Sequence, residues 1–169
     1  MTHPIVKYGD PVLEKATEPV TVFDDELRLL IEDMFESMYE AHGVGLAANQ
    51  IGIAKRLAVI DVTFKEDPKQ KLVLVNPTII NVEGQNTQAE GCLSLPDFRE
   101  KVTRPRRVTV RAQDAYGDWF EHTGEDLLAR ALVHETDHLD GRLYISHISA
   151  LKRDLIRRKI RKLMKEGEW

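Results

Sequence analysis

The chain has 169 residues, of which 42% are hydrophobic and 31% are charged, and its formal net charge is −4 at pH 7. This composition excludes a disordered or fibrous protein, and the length suits one domain with a sizeable core. No linker divides the sequence, so we expect a single domain over residues 1–169. One cysteine excludes an intrachain disulfide, and no apolar run reaches transmembrane length, which predicts a cytoplasmic protein without a membrane partner. Nothing indicates binding to DNA.

Helices are predicted near both ends of the chain. Asp24 or Asp25 can cap a helix that runs to about Ala41, where apolar residues recur at helical spacing. Ser149 can cap a basic C-terminal helix over about residues 149–165. A third helix is predicted to begin at Thr123 or Gly124 and to contain the motif HETDH.

Segments rich in β-branched residues lie between these helices and predict short strands. They are residues 56–62, 71–82, 88–94, 99–103, 107–113 and 119–123. Pro77 indicates either an edge or a bend in the second of them. We therefore predict an α+β fold in which short, largely antiparallel strands pack around a central HExxH helix.

The motif HExxH at residues 134–138 predicts a metal site. Residues four apart share a helix face, so His134 and His138 can offer their imidazoles to one metal ion. Glu135 lies about 100° further round the helix, where its carboxylate can take a proton from a metal-activated water. The alternative is a surface helix in which the HExxH pattern occurs by chance. The apolar residues on both sides of the motif indicate a buried helix instead.

A catalytic metal usually has three protein ligands and one open position, so a third ligand is needed. The single cysteine, Cys92 in the segment EGCLS, offers a strong, soft thiolate. A lone cysteine is more often a small core residue, so this assignment stays open on the residues alone. A catalytic pair of Cys92 with a histidine competes with it. That mechanism has no use for a second histidine four residues on.

The stretch HGVGLAANQ at residues 42–50 combines two glycines with small residues. Glycine permits backbone conformations that other residues avoid and lets another chain lie close against the main chain. A plain connecting loop is the alternative.

Three segments stand in order: GVGLAANQ at residues 43–50, EGCLS at residues 90–94 and HETDHLDG at residues 134–141. Together they resemble the peptide deformylase family, whose motifs have the forms GxGxAAxQ, EGCLS and HExDHLxG. The resemblance extends over nearly the whole chain, including Asp10-Pro11 and Asn76-Pro77. It implies removal of the N-formyl group from the formyl-methionine of newly made proteins, with release of formate.

The resemblance also implies the roles of the site residues. Cys92, His134 and His138 would bind one divalent metal ion with a water in the fourth position, and Glu135 would be the general base and then the proton donor. Ferrous iron is generally the family's metal, although zinc, nickel or cobalt can occupy the site. The family uses the motif glutamine, here Gln50, and the backbone N–H after the cysteine, here that of Leu93, as donors to the formyl oxygen.

The substrate is expected to pair in extended form with the main chain near Val44 and Gly45. The methionine pocket is expected to be lined by Leu127, Ala131 and Val44, because the first two share the helix face of the metal histidines.

Two neighbouring positions are harder to interpret. Val133 stands where the family commonly has glutamine, and we expect it to affect packing or a contact around the site. Arg130 is predicted at the rim of the pocket, without an assigned role.

The C-terminal segment is basic: residues 151–169 carry eight Lys and Arg against three Asp and Glu. By resemblance to bacterial family members, this helix is predicted to dock on the ribosome through RNA phosphates. A solvated helix face is the alternative. The basic residues are Lys152, Arg153, Arg157, Arg158, Lys159, Arg161, Lys162 and Lys165.

Two other functions remain as alternatives. A small zinc endopeptidase would use the same water and base, but it would usually have His or Glu as its third ligand. A ribosome-associated module with a structural metal would need a fourth protein ligand, and none is evident.

Overall fold

The computed structural model describes residues 1–169 and contains three α-helices and seven β-strands. The helices are α1 (Asp25–Glu40), α2 (Leu127–Leu139) and α3 (Ala150–Lys165). The strands are β1 (Gly45–Ala47), β2 (Leu57–Ile60), β3 (Leu72–Glu83), β4 (Asn86–Cys92), β5 (Leu95–Arg104), β6 (Arg107–Gln113) and β7 (Trp119–Glu125).

The strands form two separate antiparallel sheets. Five of them follow the order β1-β2-β3-β6-β7, and β4 pairs only with β5 in a hairpin. The predicted α+β class with antiparallel pairing is confirmed. The short strand β1 forms one edge of the larger sheet, so only one side of it is paired.

Two helices begin at the caps that the sequence indicates. The Asp24 side chain accepts a hydrogen bond from the Leu27 N–H at 3.0 Å, and Ser149 accepts one from the Lys152 N–H at 3.2 Å. Each oxygen satisfies a backbone donor that has no partner within its helix, which fixes the first turn.

The predicted start of α2 was wrong. Strand β7 continues to Glu125, which lies opposite Arg107 of β6. The Asp126 N–H then donates to the Arg106 carbonyl at 2.9 Å, and Asp126 turns the chain with φ at 53°. Because strand pairing continues this far, the helix begins only at Leu127.

Strand β3 bends at Pro77 rather than forming an edge, since it pairs with both β2 and β6. Its pairing with β6 shifts register between Val75 and Thr78, and Asn76 there has φ at 52°. The Asn76 side chain also bonds the Val20 backbone at 2.8 and 2.9 Å, which holds the bend in place.

Helices cover both faces of the larger sheet. Alternate residues point to opposite faces, so Leu57 and Val59 of β2 pack with α1, whereas Ala58 and Ile60 pack with α2. Helix α2 is therefore central, and Val133 packs at the margin of its apolar cluster. A third cluster joins β5, residues 143–145 and α3. None of the helices is both long enough and apolar enough to span a membrane.

Candidate metal centre and active site

The three predicted metal ligands converge. Helix α2 places the Nε2 atoms of His134 and His138 3.2 Å apart, and the end of β4 brings Cys92 Sγ to 3.3 Å from His138 Nε2. All three ligand atoms lie within 4.8 Å of one another. Because the end of β4 lies next to α2, Cys92 comes close to two histidines that are more than forty positions away in the sequence.

These atoms suit one divalent metal ion. Bond lengths of about 2.0–2.1 Å to nitrogen and 2.3 Å to sulfur put tetrahedral ligands about 3.3–3.6 Å apart, close to the two shorter separations. Burial and the neighbouring His134 lower the pKa of the fully buried His138. Burial would also lower the pKa of His134, but Glu135, Cys92 and Glu90 outweigh burial and raise it. Metal binding requires neutral imidazoles, so a proton must leave His134 when a metal binds. No fourth His, Cys, Asp or Glu joins the cluster, so one coordination position stays open to other molecules.

Glu90 orients the first histidine. Its Oε2 accepts a hydrogen bond from His134 Nδ1 at 2.6 Å, and its carboxylate receives two from Arg104 at 3.0 and 2.7 Å. Burial alone would raise the pKa of Glu90, but the bonds from His134 and Arg104 outweigh it and hold this pKa well below the ordinary value. A proton on Nδ1 leaves Nε2 of His134 free for a metal.

Arg130 lies in the wall of the cleft that is described below, but it is buried there rather than exposed at the rim, where the sequence analysis placed it. It is buried, and its guanidinium donates to Glu90 Oε1 at 2.8 Å, to the Val102 carbonyl at 3.0 Å and to the Asn86 carbonyl at 2.7 Å. The partners of the arginine lie on the β4–β5 hairpin. The helical wheel shows only the position of Arg130 on α2 and nothing of that hairpin.

Glu135 lies beside the converging ligands with an unused oxygen. Its Oε1 is buried without any hydrogen-bond partner in the chain, which is rare for a buried carboxylate. Burial, assisted by the charges of Glu90 and Asp137 and opposed by those of His134 and Arg104, raises the pKa of Glu135 to about 7. A group with this pKa can both accept and donate a proton near neutral pH.

Two hydrogen-bond donors, the side-chain amide of Gln50 and the backbone N–H of Leu93, lie near Cys92. Gln50 is buried in the short 3-10 helix Ala48–Ile51, where its Oε1 accepts from the Ala47 N–H at 3.0 Å. Its Nε2 therefore turns towards Ser94 Oγ at 3.2 Å and Cys92 Sγ at 3.6 Å. The Leu93 N–H donates to no group of the chain.

A cleft of about 730 Å³ opens onto these groups. All four predicted substrate-binding residues line it, namely Val44, Gly45, Leu127 and Ala131. Leu127 is half exposed, so it lies at the mouth. The sequence prediction missed further lining residues outside the motifs, among them Ile5, Ala41, Phe98 and Arg99.

Comparison with known proteins gives one consistent result. The family model for polypeptide deformylase matches residues 2–154. A peptide deformylase of Acidobacterium capsulatum is 64% identical over 169 residues, covering 100% of this chain and 99% of that protein.

Solved structures agree in fold. The crystal structure of a peptide deformylase from Legionella pneumophila has a TM-score of 0.91 and 45% identity, covering 99% of this chain and 98% of that one. The enzyme from Thermus thermophilus gives a TM-score of 0.90 at 41% identity, with the same shares covered. Since the family model spans most of the sequence and these relatives align over nearly all of it, the chain belongs to the peptide deformylase family, the metal-dependent hydrolases that remove the N-formyl group from nascent peptides.

Proposed function

We propose that Cys92, His134 and His138 hold the divalent metal with which this chain hydrolyses the formyl amide of N-formyl-methionyl peptides. The observation that carries the proposal is the convergence of their three ligand atoms within 4.8 Å. When bound, the metal supplies a Lewis acid that lowers the pKa of a water and polarises the formyl carbonyl. The open coordination position and the cleft beside it suit a catalytic rather than a structural site.

Glu135 is the proposed general base. Its unpartnered oxygen suits a bond to the attacking water, and a pKa of about 7 suits proton transfer in both directions. Glu135 takes the proton of the water as the new C–O bond forms at the formyl carbon. It then gives that proton to the leaving nitrogen as the C–N bond breaks, which yields formate and a free N-terminus.

The negative charge that develops on the formyl oxygen is proposed to be stabilised by two donors. One is the Leu93 N–H, which has no partner in the chain, and the other is the side-chain amide of Gln50. The bond from the Ala47 N–H to Gln50 Oε1 fixes which end of this amide faces the cleft. Donors fixed in advance need no rearrangement during the reaction.

The peptide is proposed to extend along the open edge of β1. Backbone pairing with Val44 and Gly45 would bind any sequence after the first residue, because it uses only main-chain groups. The methionine side chain would enter the apolar part of the cleft between Val44, Leu127 and Ala131. Specificity then depends on the first residue alone.

Ferrous iron is the proposed physiological metal, on resemblance to the family and on the mixed thiolate and imidazole ligands. A thiolate beside ferrous iron is expected to be oxygen-sensitive. Protein loaded with iron should lose activity in air and keep it under nitrogen, whereas nickel-loaded protein should keep it in both. Equal activity of the iron form in both atmospheres would count against this metal.

We also propose that the protein acts in the cytoplasm and docks on the ribosome through α3. Ile156 and Ile160 of this helix are buried against the body of the protein. Most of the basic side chains lie on its exposed surface, although Lys152 also pairs with Glu100 and Arg157 contacts Tyr8. Phosphate groups of ribosomal RNA are the partners that such a surface suits.

The test of deformylation is formate release. Protein loaded anaerobically with ferrous iron or nickel should release formate from formyl-Met-Ala-Ser, and the Glu135→Ala variant should lose nearly all of this activity while still binding metal. Absence of formate from wild-type protein shown to hold one metal ion would overturn the proposal. Cleavage of the internal peptide bonds without formate would instead indicate an endopeptidase.

A further inference from the structure

We propose that Arg130 is a positioning residue for the metal centre: it fixes Glu90, and through Glu90 it fixes the relative placement of His134 and Cys92. This inference rests on the proposed ligand set and extends it to a residue whose sequence context gives no role. Arg130 is buried and touches neither Cys92 nor His134 within hydrogen-bonding distance, so any effect on them must pass through its partners.

The Glu90 carboxylate has every acceptor position filled. Oε1 accepts from Arg104 Nε at 3.0 Å and from Arg130 Nη1 at 2.8 Å. Oε2 accepts from Arg104 Nη2 at 2.7 Å and from His134 Nδ1 at 2.6 Å. A carboxylate offers about four lone-pair sites, so it cannot rotate without breaking several charged hydrogen bonds together. The Glu90 carboxylate that fixes the His134 imidazole is thus itself fixed by its hydrogen bonds to the two arginines.

Arg130 also joins the two elements that carry the metal ligands. Its guanidinium donates to the carbonyl of Asn86 at 2.7 Å on β4 and to that of Val102 at 3.0 Å on β5. Arg130 and His134 are four residues apart on α2, so they reach the hairpin from the same helix face. Strand β4 begins at Asn86 and ends at Cys92, and Glu90, which also accepts from Arg130, lies two residues before the cysteine. Arg130 therefore ties the strand that carries Cys92 to the helix that carries the histidines.

Charge explains why an arginine stands there. Two carboxylates, the buried Glu90 and the partly exposed Asp137, lie close to two buried guanidiniums, Arg104 and Arg130, and Arg104 Nη1 also donates to Asp137 Oδ2 at 2.9 Å. Removal of Arg130 leaves the buried Glu90 carboxylate to share the one remaining guanidinium, Arg104, with Asp137. Loss of one partner from such a cluster is strongly destabilising locally, and the remaining groups must rearrange. That rearrangement would move Glu90 relative to His134.

The experiment compares Arg130→Met with Arg106→Met, a matched control because Arg106 is exposed and its side chain makes only a long surface contact with Glu125 at 3.7 Å. Both proteins are loaded with cobalt(II), and affinity is measured by chelator competition while absorption reports the thiolate-to-cobalt band and the ligand geometry. We expect Arg130→Met to weaken metal binding by about 10- to 100-fold and to shift the spectrum. KM for formyl-Met-Ala-Ser, measured with saturating metal, should stay within about twofold of wild type, because the proposed role makes no substrate contact.

A double variant tests the route of the effect. In a Glu90→Gln background, Arg130→Met should add much less than its full loss of metal affinity, since both changes act through one carboxylate. If Arg130→Met does not fold, Arg130→Lys replaces it, and an intermediate loss is expected because an ammonium cannot reach all three acceptors in the same way.

Two results would overturn the inference. Unchanged affinity and spectrum would leave Arg130 as a fold-stabilising residue only, and a raised KM with normal metal binding would make it a substrate contact. Neither result bears on deformylation itself, which formate release by the wild-type protein decides separately.

Discussion

Gly45 lies directly against Glu135. A Cβ atom built on Gly45 would overlap the Glu135 carboxylate, with Oε2 as its nearest atom. The glycine of β1 therefore provides the space in which the proposed general base lies, in addition to its place on the open edge of the sheet. This relationship connects the glycine motif to the HExxH motif, 90 residues further along the chain.

Gly45→Ala should displace Glu135 and lower kcat by about 10- to 100-fold, a loss comparable to that for a displaced acid–base group. Steady-state kinetics with formyl-Met-Ala-Ser gives the value, and metal content should remain at one ion per chain. The same change in a Glu135→Gln protein should cause little further loss. Full additivity of the two losses would show that Gly45 acts by another route.

Gln50→Ala should reduce kcat about 10²- to 10³-fold, as expected for removal of one donor to a developing oxyanion. Ser94→Ala is the matched control, because it removes the hydroxyl 3.2 Å from Gln50 Nε2 while it keeps the amide itself. Its kcat should stay within about threefold of wild type. A purely higher KM for Gln50→Ala would assign the amide to ground-state binding.

Arg104→Met should lower the free energy of unfolding by about 3–5 kcal/mol, because it leaves the buried Glu90 carboxylate with one guanidinium fewer and removes a partner of the partly exposed Asp137. Urea titration of the metal-free protein measures the change. Arg107→Met is the control: Arg107 is exposed where it pairs with Glu125 at 2.8 Å, and its loss should cost at most about 1 kcal/mol. If the two substitutions lowered the free energy of unfolding equally, burial would not be the reason for the loss at Arg104.

The buried Asp61 gives a prediction for pH. Burial alone would raise the pKa of Asp61, but hydrogen bonds from Tyr39 and Thr63 and from the Lys65 N–H outweigh burial and lower it below the ordinary value. A group with a lowered pKa in the folded state contributes stability above its unfolded pKa of about 3.9, and this contribution is lost as the pH falls through the folded pKa. The Tyr39 hydroxyl lies 2.5 Å from Asp61 Oδ2.

Tyr39→Phe should therefore cost about 1.5–3 kcal/mol of unfolding free energy at neutral pH. The difference from wild type should shrink at acid pH, because Asp61 of the folded variant has lost the Tyr39 hydrogen bond and takes up its proton at a higher pH than Asp61 of the folded wild type. Urea titrations of both proteins over a pH series provide the measurement. A difference that grows on acidification would contradict this sign.

The basic surface of α3 gives a prediction for ribosome binding. Replacement of Arg158, Lys159 and Lys162 by glutamine should weaken binding to ribosomes and reduce its salt dependence, because fewer phosphate contacts release fewer counterions. Release of formate from a free tripeptide should stay unchanged. Sedimentation with ribosomes at several salt concentrations tests this, and binding equal to that of wild type at every concentration would remove the ribosome proposal.

Local patterns predicted most of the elements and the pair of metal histidines, whereas Cys92, Gln50 and Leu93 were assigned by resemblance to the family. The spacing of His134 and His138 requires only one helical turn, and the caps at Asp24 and Ser149 are local as well. The start of α2 could not be found this way, since it depends on pairing between Arg107 and Glu125. The same holds for Arg130, whose partners Asn86, Glu90 and Val102 lie 28 to 44 positions away. Helical periodicity predicts the direction in which a side chain points, but it does not predict which residues of other elements lie there or what charge they carry.

The length of β1 limits what can pair with it. An open strand edge is also a template for association between copies of a protein, and short edge strands are one means by which proteins avoid this. With only Gly45–Ala47 in the strand, the edge offers few backbone groups. Those few groups suit the proposed peptide, which would also contact the rest of the cleft, but they are too few for stable pairing between two sheets. In the proposed function, this edge therefore pairs with one peptide after another while it offers too little backbone to favour association between copies of the protein.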